Sequence, residues 1–170
     1  MTTTAAATTS GRVALRPLLE GEVLVSDDSP WDDWGLRNAP PLTDLDRLAV
    51  ELDGTAVGNV SWHPVFYGPN LASRAYNIGI GLGEAFRGQG IGSQAQRLLA
   101  EHLFATTDVV RVEASTDVGN LAERRALEKA GFTLEGILRS AQGRADGVHD
   151  LASYSLLRVD LERCPGDTPI

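Results

Sequence analysis

Leu82-Gly83-Glu84-Ala85-Phe86-Arg87-Gly88-Gln89-Gly90-Ile91-Gly92-Ser93-Gln94-Ala95 decides how this chain is read. The stretch lies between an apolar run, Tyr76–Leu82, and a segment from Ile91 to about Thr106 that carries one apolar face. That face is Ile91, Ala95, Leu98, Leu99 and Leu103, spaced as an amphipathic helix requires. Gly88, Gly90 and Gly92 alternate along the loop and let a backbone come close to a ligand. The unpaired N–H groups of the new helix then point at that ligand, and the helix dipole favours an anion. Strand, glycine loop and helix N-terminus together predict a phosphate cradle.

The chain around the loop reads as one domain. It has 170 residues, 42% of them hydrophobic, enough for a single core. No apolar run approaches the ~20 residues of a membrane-spanning helix. The first residues have neither a basic start nor an apolar centre, so residues 1–11 are expected to be a disordered lead and not a signal peptide. Residues 12–160 form the expected domain and 161–170 a flexible tail. Cys164, the single cysteine, falls in that Pro/Gly-rich tail, can form no internal disulfide and fits a cytoplasmic location. The net charge of −8 argues against nonspecific nucleic-acid binding. Residues 1–53 hold ten acidic residues against four arginines.

Val13–Leu18 reads as a first strand, and residues 19–45 as irregular. Leu48–Leu52 and Ala56–Trp62 flank the turn signal Asp53-Gly54 and predict a hairpin. Arg74–Leu82 leads into the glycine loop. Val109–Ala114 has the apolar character of a strand in a parallel pair. Asn120 is placed to N-cap the next helix, with Glu123 at the capping-box position and Gly131 as C-cap. Phe132–Leu138 and Val148–Val159 complete the sheet. Antiparallel strands followed by a strand–helix–strand crossover predict a mixed sheet in an α/β (α+β) domain. A dinucleotide-binding domain is the rival: Gly90-Ile91-Gly92-Ser93-Gln94-Ala95 fits G-x-G-x-x-A, with Glu113 a suitable distance on. That motif should begin at the strand end, whereas residues 83–89 intervene here and an antiparallel hairpin lies upstream. With no Gly-Lys pair, a Walker-type loop is excluded.

A second block, Asn120-Leu-Ala-Glu-Arg-Arg125-Ala-Leu-Glu-Lys129-Ala-Gly131-Phe132, follows the loop by about 30 residues. Loop and block in this order resemble the GNAT acyltransferases: the loop is similar to their Arg/Gln-x-x-Gly-x-Gly/Ala pyrophosphate loop, and the block to their Asn…Glu-Lys-x-Gly-Phe helix. Val13-Ala-Leu-Arg16-Pro17-Leu18 and Gly147-Val-His-Asp-Leu-Ala-Ser-Tyr-Ser-Leu are similar to segments of the ribosomal-protein N-terminal (alanine) acetyltransferase subgroup. The resemblance spans roughly residues 12–160. It implies the GNAT fold, a central, mostly antiparallel sheet with a β-α-β acyl-CoA-binding core. It also implies acetyl-CoA as co-substrate and direct attack by a primary amine of a small molecule or peptide; His63, His102 and His149 have no metal-ligand spacing, so no metal is expected. Dimers are common among such proteins, so it further implies a homodimer.

Carried over residue by residue, the resemblance puts the backbone at Leu82 on the pantetheine arm and thioester carbonyl. The amides of Arg87, Gly88, Gln89, Gly90, Ile91, Gly92 and Ser93 take the pyrophosphate, Asn120 the pantetheine arm, and Arg125 a cofactor phosphate. Amine attack on a thioester also needs proton transfer. Many relatives use a tyrosine general acid, and Leu127 holds its place here. Their strand glutamate is replaced by Asn77, which can orient a water but not act as a base. Glu123 stands where a subgroup has serine. Glu113, on a strand beside the expected cleft, is the better candidate base. Relatives of this subgroup carry two helices where this chain has only about 30 residues rich in Pro, Gly and Asp. Acidic residues from Asp27 to Asp33, with Trp31 and Trp34, form a patch suited to a cationic amine. Two other readings share the cradle: a non-catalytic acyl-CoA sensor, and a transferase for a larger donor such as succinyl-CoA. The second draws on Gly79, Gly81 and Gly83.

Overall fold

Period-two patterning sets the antiparallel half of the sheet. The computed structural model describes residues 8–10, 12–22, 29–31, 33 and 45–162. β2 (Val13–Arg16) buries Val13 and Leu15; β3 (Asp46–Leu52) and β4 (Thr55–Phe66) bury Leu48, Val50, Val57 and Val60. β5 (Arg74–Leu82) leads into α1 (Ile91–Thr106), and β6 (Arg111–Asp117) into α2 (Leu121–Ala130). β7 (Thr133–Arg144) and β8 (Gly147–Leu157) form a closing hairpin, and α3 (Arg158–Glu162) follows. Residues 8–10, expected in a disordered lead, form β1 (Thr8–Ser10) by pairing with β2. Leu161, expected in a flexible tail, belongs to α3 and packs on the core. No described helix is long and apolar enough to cross a membrane.

The eight strands run in the order β1-β2-β3-β4-β5-β6-β8-β7. Every neighbouring pair is antiparallel except β5–β6. The parallel pair exists because α1 carries the chain back across the sheet before β6, the crossover a parallel connection needs. It is short: Tyr76 faces Val112, Asn77 faces Glu113 and Ile78 faces Ala114. Beyond that point β5 continues to Leu82 and β6 to Asp117 without pairing to each other. The strands part over about four residues, or roughly 13 Å.

The two long helices pack on each other and on one face of the sheet. α1 buries Ile91, Ala95, Leu98, Leu99 and Leu103, the stripe predicted from spacing, against Val60, Ile78, Val112, Tyr154 and Leu156. His102 stands edge-on to Trp62, their ring centres 6.4 Å apart. Arg158 closes the far end of α1 by donating to the carbonyls of Phe104 (2.6 Å), Thr107 (2.9 Å) and Val109 (2.7 Å). The register places Asn59, Ser61, His63, Asn77, Gly79, Glu113, Ser115 and Asp117 on the other face. One face is therefore core, and the other is a polar floor beside the gap between β5 and β6.

At the open end of β6 a charged cluster ties three segments together. Asp117 accepts from the Gly119 N–H (2.8 Å) and pairs with His149 Nδ1 (2.7 Å), while Arg144 lies 3.6 Å away. The other ring nitrogen of His149 is 2.8 Å from Asp146. Trp31 lies against Gly119 and under the Arg144 guanidinium, and the Ala145 N–H donates to the Asp33 carbonyl (3.0 Å). The hydrogen bonds to Asp146 and Asp117 raise His149 above its ordinary 6.5. Burial works against the Asp117 carboxylate, but the Gly119 N–H, His149 and Arg144 outweigh it and hold Asp117 below its usual value.

Two outcomes follow from this packing. At Gly58 an added Cβ would overlap the Gly81 carbonyl oxygen and crowd Leu82. Gly58→Ala is expected to cost about 2 kcal/mol in urea unfolding, the scale of an overpacked core. Because His149 binds its proton more tightly when folded, that stability is complete below about pH 6.5 and is lost as pH rises through the higher folded value. NMR titration of the ring should place it above 6.5, Asp117→Asn should lower it, and His149→Gln should abolish the decline in stability over that range.

Candidate functional site

Glycine conformations shape the loop after β5. A short 3₁₀ turn, Glu84–Phe86, precedes it. Gly88 (φ +72°) and Gly90 (φ +80°) then take left-handed conformations that residues with a Cβ adopt only at a cost. An added Cβ at either would meet nothing among the described residues within 4 Å. The N-cap of α1 is Gly90 itself, with no side chain capping the first turn. The N–H groups at the start of α1 thus remain available to an incoming acceptor. The loop's own side chains fold back: Arg87 Nε donates to the Leu82 carbonyl (3.0 Å), Gln89 Nε2 to the Ala85 carbonyl (2.8 Å), and Ser93 Oγ to the Gly90 carbonyl (2.9 Å). These contacts brace the loop on the strand end. Ile91 is buried in the core and anchors the helix, while Gly92 lies in ordinary contact with Leu82 and Ile80.

The second helix starts at the same end of the gap. Asn120 caps α2, its Oδ1 accepting from the Glu123 N–H (3.2 Å) and its Nδ2 donating to Thr116 Oγ1 (3.2 Å). Gly131 closes α2 in a left-handed conformation (φ +95°), as its C-cap position predicted. Arg125 is exposed on α2. The diverging strands therefore open toward two helix N-termini, a geometry suited to an elongated ligand with an anionic head. The fit is to a backbone-bound phosphate group, since the cradle is made of amides and helix ends.

At the closed end, Asn77 and Glu113 face each other across the last paired turn of β5 and β6. Glu113 is 7% exposed. Its Oε2 accepts from the Tyr67 hydroxyl (2.5 Å) and from Arg111 Nε (3.1 Å). The remaining nitrogens of Arg111 hold Glu135 through two bonds (2.7 and 2.6 Å), and Ser155 Oγ donates to the same carboxylate (2.6 Å). Arg111, chiefly, and Ser155 pull Glu135 down to about 2 against the effect of burial. Burial, then the Glu113 carboxylate, raises the Tyr67 phenol. Tyr67, Arg111 and Glu135 were not singled out from the sequence. Tyr67 is 46 positions from Glu113 and no local pattern links them. Arg111 was within reach, because residues two apart on a strand share a face.

Asn77 and Glu113 are thus brought together, whereas Glu123 lies at the opposite, open end of β6 in the first turn of α2. Leu127, where many relatives carry tyrosine, is fully buried in the core. Of the acidic patch, Trp31 and the Asp33 backbone are placed by the contacts above; Asp27, Asp28, Asp32 and Trp34 lie outside the described residues, as does Cys164. His149 and Asp150 belong to the hairpin at the open end, where Asp150 Oδ1 accepts from the Ser140 N–H (2.7 Å). At the strand glycines an added Cβ would meet only side-chain ends, Ser61 Oγ at 3.1 Å from Gly79 and Asn59 Nδ2 at 3.4 Å from Gly81.

Comparison with known proteins agrees with this geometry. A family model described as an acetyltransferase (GNAT) domain matches residues 26–133. A putative ribosomal N-acetyltransferase of Bacillus subtilis, YdaF, is 33% identical over 132 residues, covering 76% of this chain and 68% of its own length. A probable N-acetyltransferase of the same organism, YjcK, is 38% identical over 87 residues, covering 51% of this chain and 46% of its own. Among solved structures, Mycobacterium smegmatis RimJ in complex with CoA-disulfide superposes with a TM-score of 0.68 over 89% of this chain and 84% of that one, at 20% identity. RimL, a ribosomal L7/L12 alpha-N-protein acetyltransferase in complex with coenzyme A, gives 0.58 over 66% and 62%, at 27% identity. With the parted strands, the glycine cradle and a family match over most of its length, the chain belongs to the GNAT family of acetyltransferases.

Proposed function

We propose that this protein transfers an acyl group, acetyl in preference to larger groups, from acyl-CoA to a primary amine of a small molecule or peptide. The observation that carries this reading is the gap between β5 and β6, which opens toward two helix N-termini and an uncapped glycine loop. In this reading the amides from Arg87 to Ser93 take the pyrophosphate and Arg125 a further phosphate. The pantetheine arm lies along the free edge of β5 as far as Leu82, with Asn120 beside it. RimL and RimJ, which share the fold, carry coenzyme A or its disulfide. The thioester then lies near the closed end, where the polar floor gives an amine a face to approach from.

The amine nitrogen attacks the acyl carbon, the C–S bond breaks with its electrons on sulfur, and the N–H proton must leave. Glu113 is the proton acceptor in this scheme and Asn77 positions a water or the amine. Glu123 is less suited because it sits at the far end of β6. The acetyl preference rests on the acetyltransferase descriptions of the family model and of the relatives. A net charge of −8 favours a cationic amine over an anionic acceptor. The neighbours act on different acceptors: RimL is a ribosomal protein acetyltransferase, while another, MccE, is a microcin C7 self-immunity enzyme solved with acetyl-CoA and AMP. A cytoplasmic homodimer completes the proposal.

Calorimetric titration tests it, using acetyl-CoA, succinyl-CoA, free coenzyme A and NAD. Micromolar binding of acetyl-CoA with NAD silent is expected. Gly90→Val, folded by circular dichroism, should weaken acetyl-CoA at least about tenfold by straining the left-handed cap. Thiol release with spermidine, kanamycin and an alanine-starting peptide then screens the acceptor. Coenzyme A binding without turnover of any amine would favour the sensor, and no binding at all would refute the cradle.

A further inference from the structure

We propose that the Tyr67 hydroxyl is the proton relay between the acceptor amine and Glu113. This rests on the acyl-transfer reading above and adds to it a residue from outside the cofactor-binding core. Glu113 lies at the closed end of the gap but is only 7% exposed, so an amine approaching over the polar floor does not meet it directly. Tyr67 is 67% exposed, yet its hydroxyl sits 2.5 Å from Glu113 Oε2. The phenol therefore spans the distance between the open floor and the buried carboxylate.

The surroundings hold it in that position. Tyr67 opens the β4–β5 loop, and its N–H donates to the Ser73 carbonyl (3.0 Å). Asn70 Oδ1 accepts from the Ala72 N–H (3.1 Å), and Gly68 is packed so tightly on Ser73 that it has no room for a Cβ. The Arg111 guanidinium lies 5.6 Å from the Tyr67 ring centre and steadies it from beneath. Charge is arranged to the same end. Arg111 makes its two-pronged pair with Glu135 and reaches Glu113 through Nε alone, so Glu113 Oε2 is shared between Arg111 and the Tyr67 hydroxyl. A phenol raised above its ordinary value stays protonated while it waits.

The step balances. The amine lone pair forms the C–N bond to the acyl carbon, and the C–S bond breaks with its electrons on sulfur. The N–H proton passes to Tyr67 Oη as the phenolic proton passes to Glu113 Oε2. Glu113 returns its proton to solvent, from which the thiolate is protonated, leaving amide and thiol.

Tyr67→Phe, Glu113→Gln and the double variant test this. The first readout needs no acceptor: of the three tyrosines, one should lose its high-pH absorbance transition in Tyr67→Phe, and that transition should move down in Glu113→Gln. The second uses acetyl-CoA with spermidine, kanamycin and the alanine-starting peptide. Each single variant should lose about 100-fold in kcat/KM at unchanged acetyl-CoA affinity, and the double variant should lose no more than either. A Tyr67→Phe enzyme within threefold of wild type, multiplied losses in the double variant, or a tyrosine titration untouched by Glu113→Gln would each overturn the relay alone. Bound coenzyme A with none of the amines acylated would overturn the amine-transfer reading and the relay together.

Discussion

Everything at the site depends on β5 and β6 pairing over only three residues before they part. A parallel pair continued to Leu82 and Asp117 would close the sheet and leave one polar face with no entrance. The divergence leaves the facing edges of Gly79–Leu82 and Ser115–Asp117 without the ladder bonds that a continued pair would make between them. Neighbouring elements hold the edges apart. β4 pairs with β5 along its whole length from Gly58 to Phe66, and β8 pairs with all of β6 from Arg111 to Asp117. Each strand is thus fixed by its outer neighbour, and the gap between them is a rigid feature.

The helices reinforce the same opening. α1 is fastened by Ile91 and Leu99 in the core and by Arg158 at its far end, so its N-terminus is aimed and not merely present. α2 is fastened by Leu127 and by a bond between fully buried Tyr154 and Glu128 (3.1 Å). Arg124 adds a second tie, donating to the same hydroxyl (3.2 Å) and to the Val118 carbonyl (3.0 Å). The proposed phosphate cradle is therefore preorganised by packing on the opposite face of the sheet, which is how a backbone site binds without reorganising.

The glycine loop and the two helix starts were legible in the sequence because their determinants are local. Gly88 and Gly90 signal left-handed backbone, the 91/95/98/99/103 spacing signals the helix, and Asn120 with Gly131 brackets the next one. The parting of β5 from β6 left no such mark, since no residue pattern in either strand signals where the pairing ends and the register stops after Ile78 and Ala114. β1 was missed because threonine-rich pairing at Thr8–Ser10 looks like any polar lead. The closed end was half legible. Glu113 and Asn77 came from their strand positions, but Tyr67 reaches Glu113 across 46 residues and Glu135 meets Arg111 across 24. Such side-chain networks are products of tertiary structure, and single-sequence patterns do not encode them.

Charge separates the two ends of the gap, and this shapes the proposed reaction. The open end offers two helix N-termini, which suit an anionic donor, beside the Asp117–His149–Arg144 cluster. The closed end holds two carboxylates around one guanidinium, a local excess of negative charge. With a net charge of −8, the protein as a whole repels coenzyme A at long range and draws cations in. Donor affinity must then come from short-range bonds to the loop, where salt screens little, while acceptor capture gains from the wider field and weakens as salt rises. In the proposed reaction, an anionic donor held at the open end and a cationic acceptor approaching the closed end would meet where the strands first part.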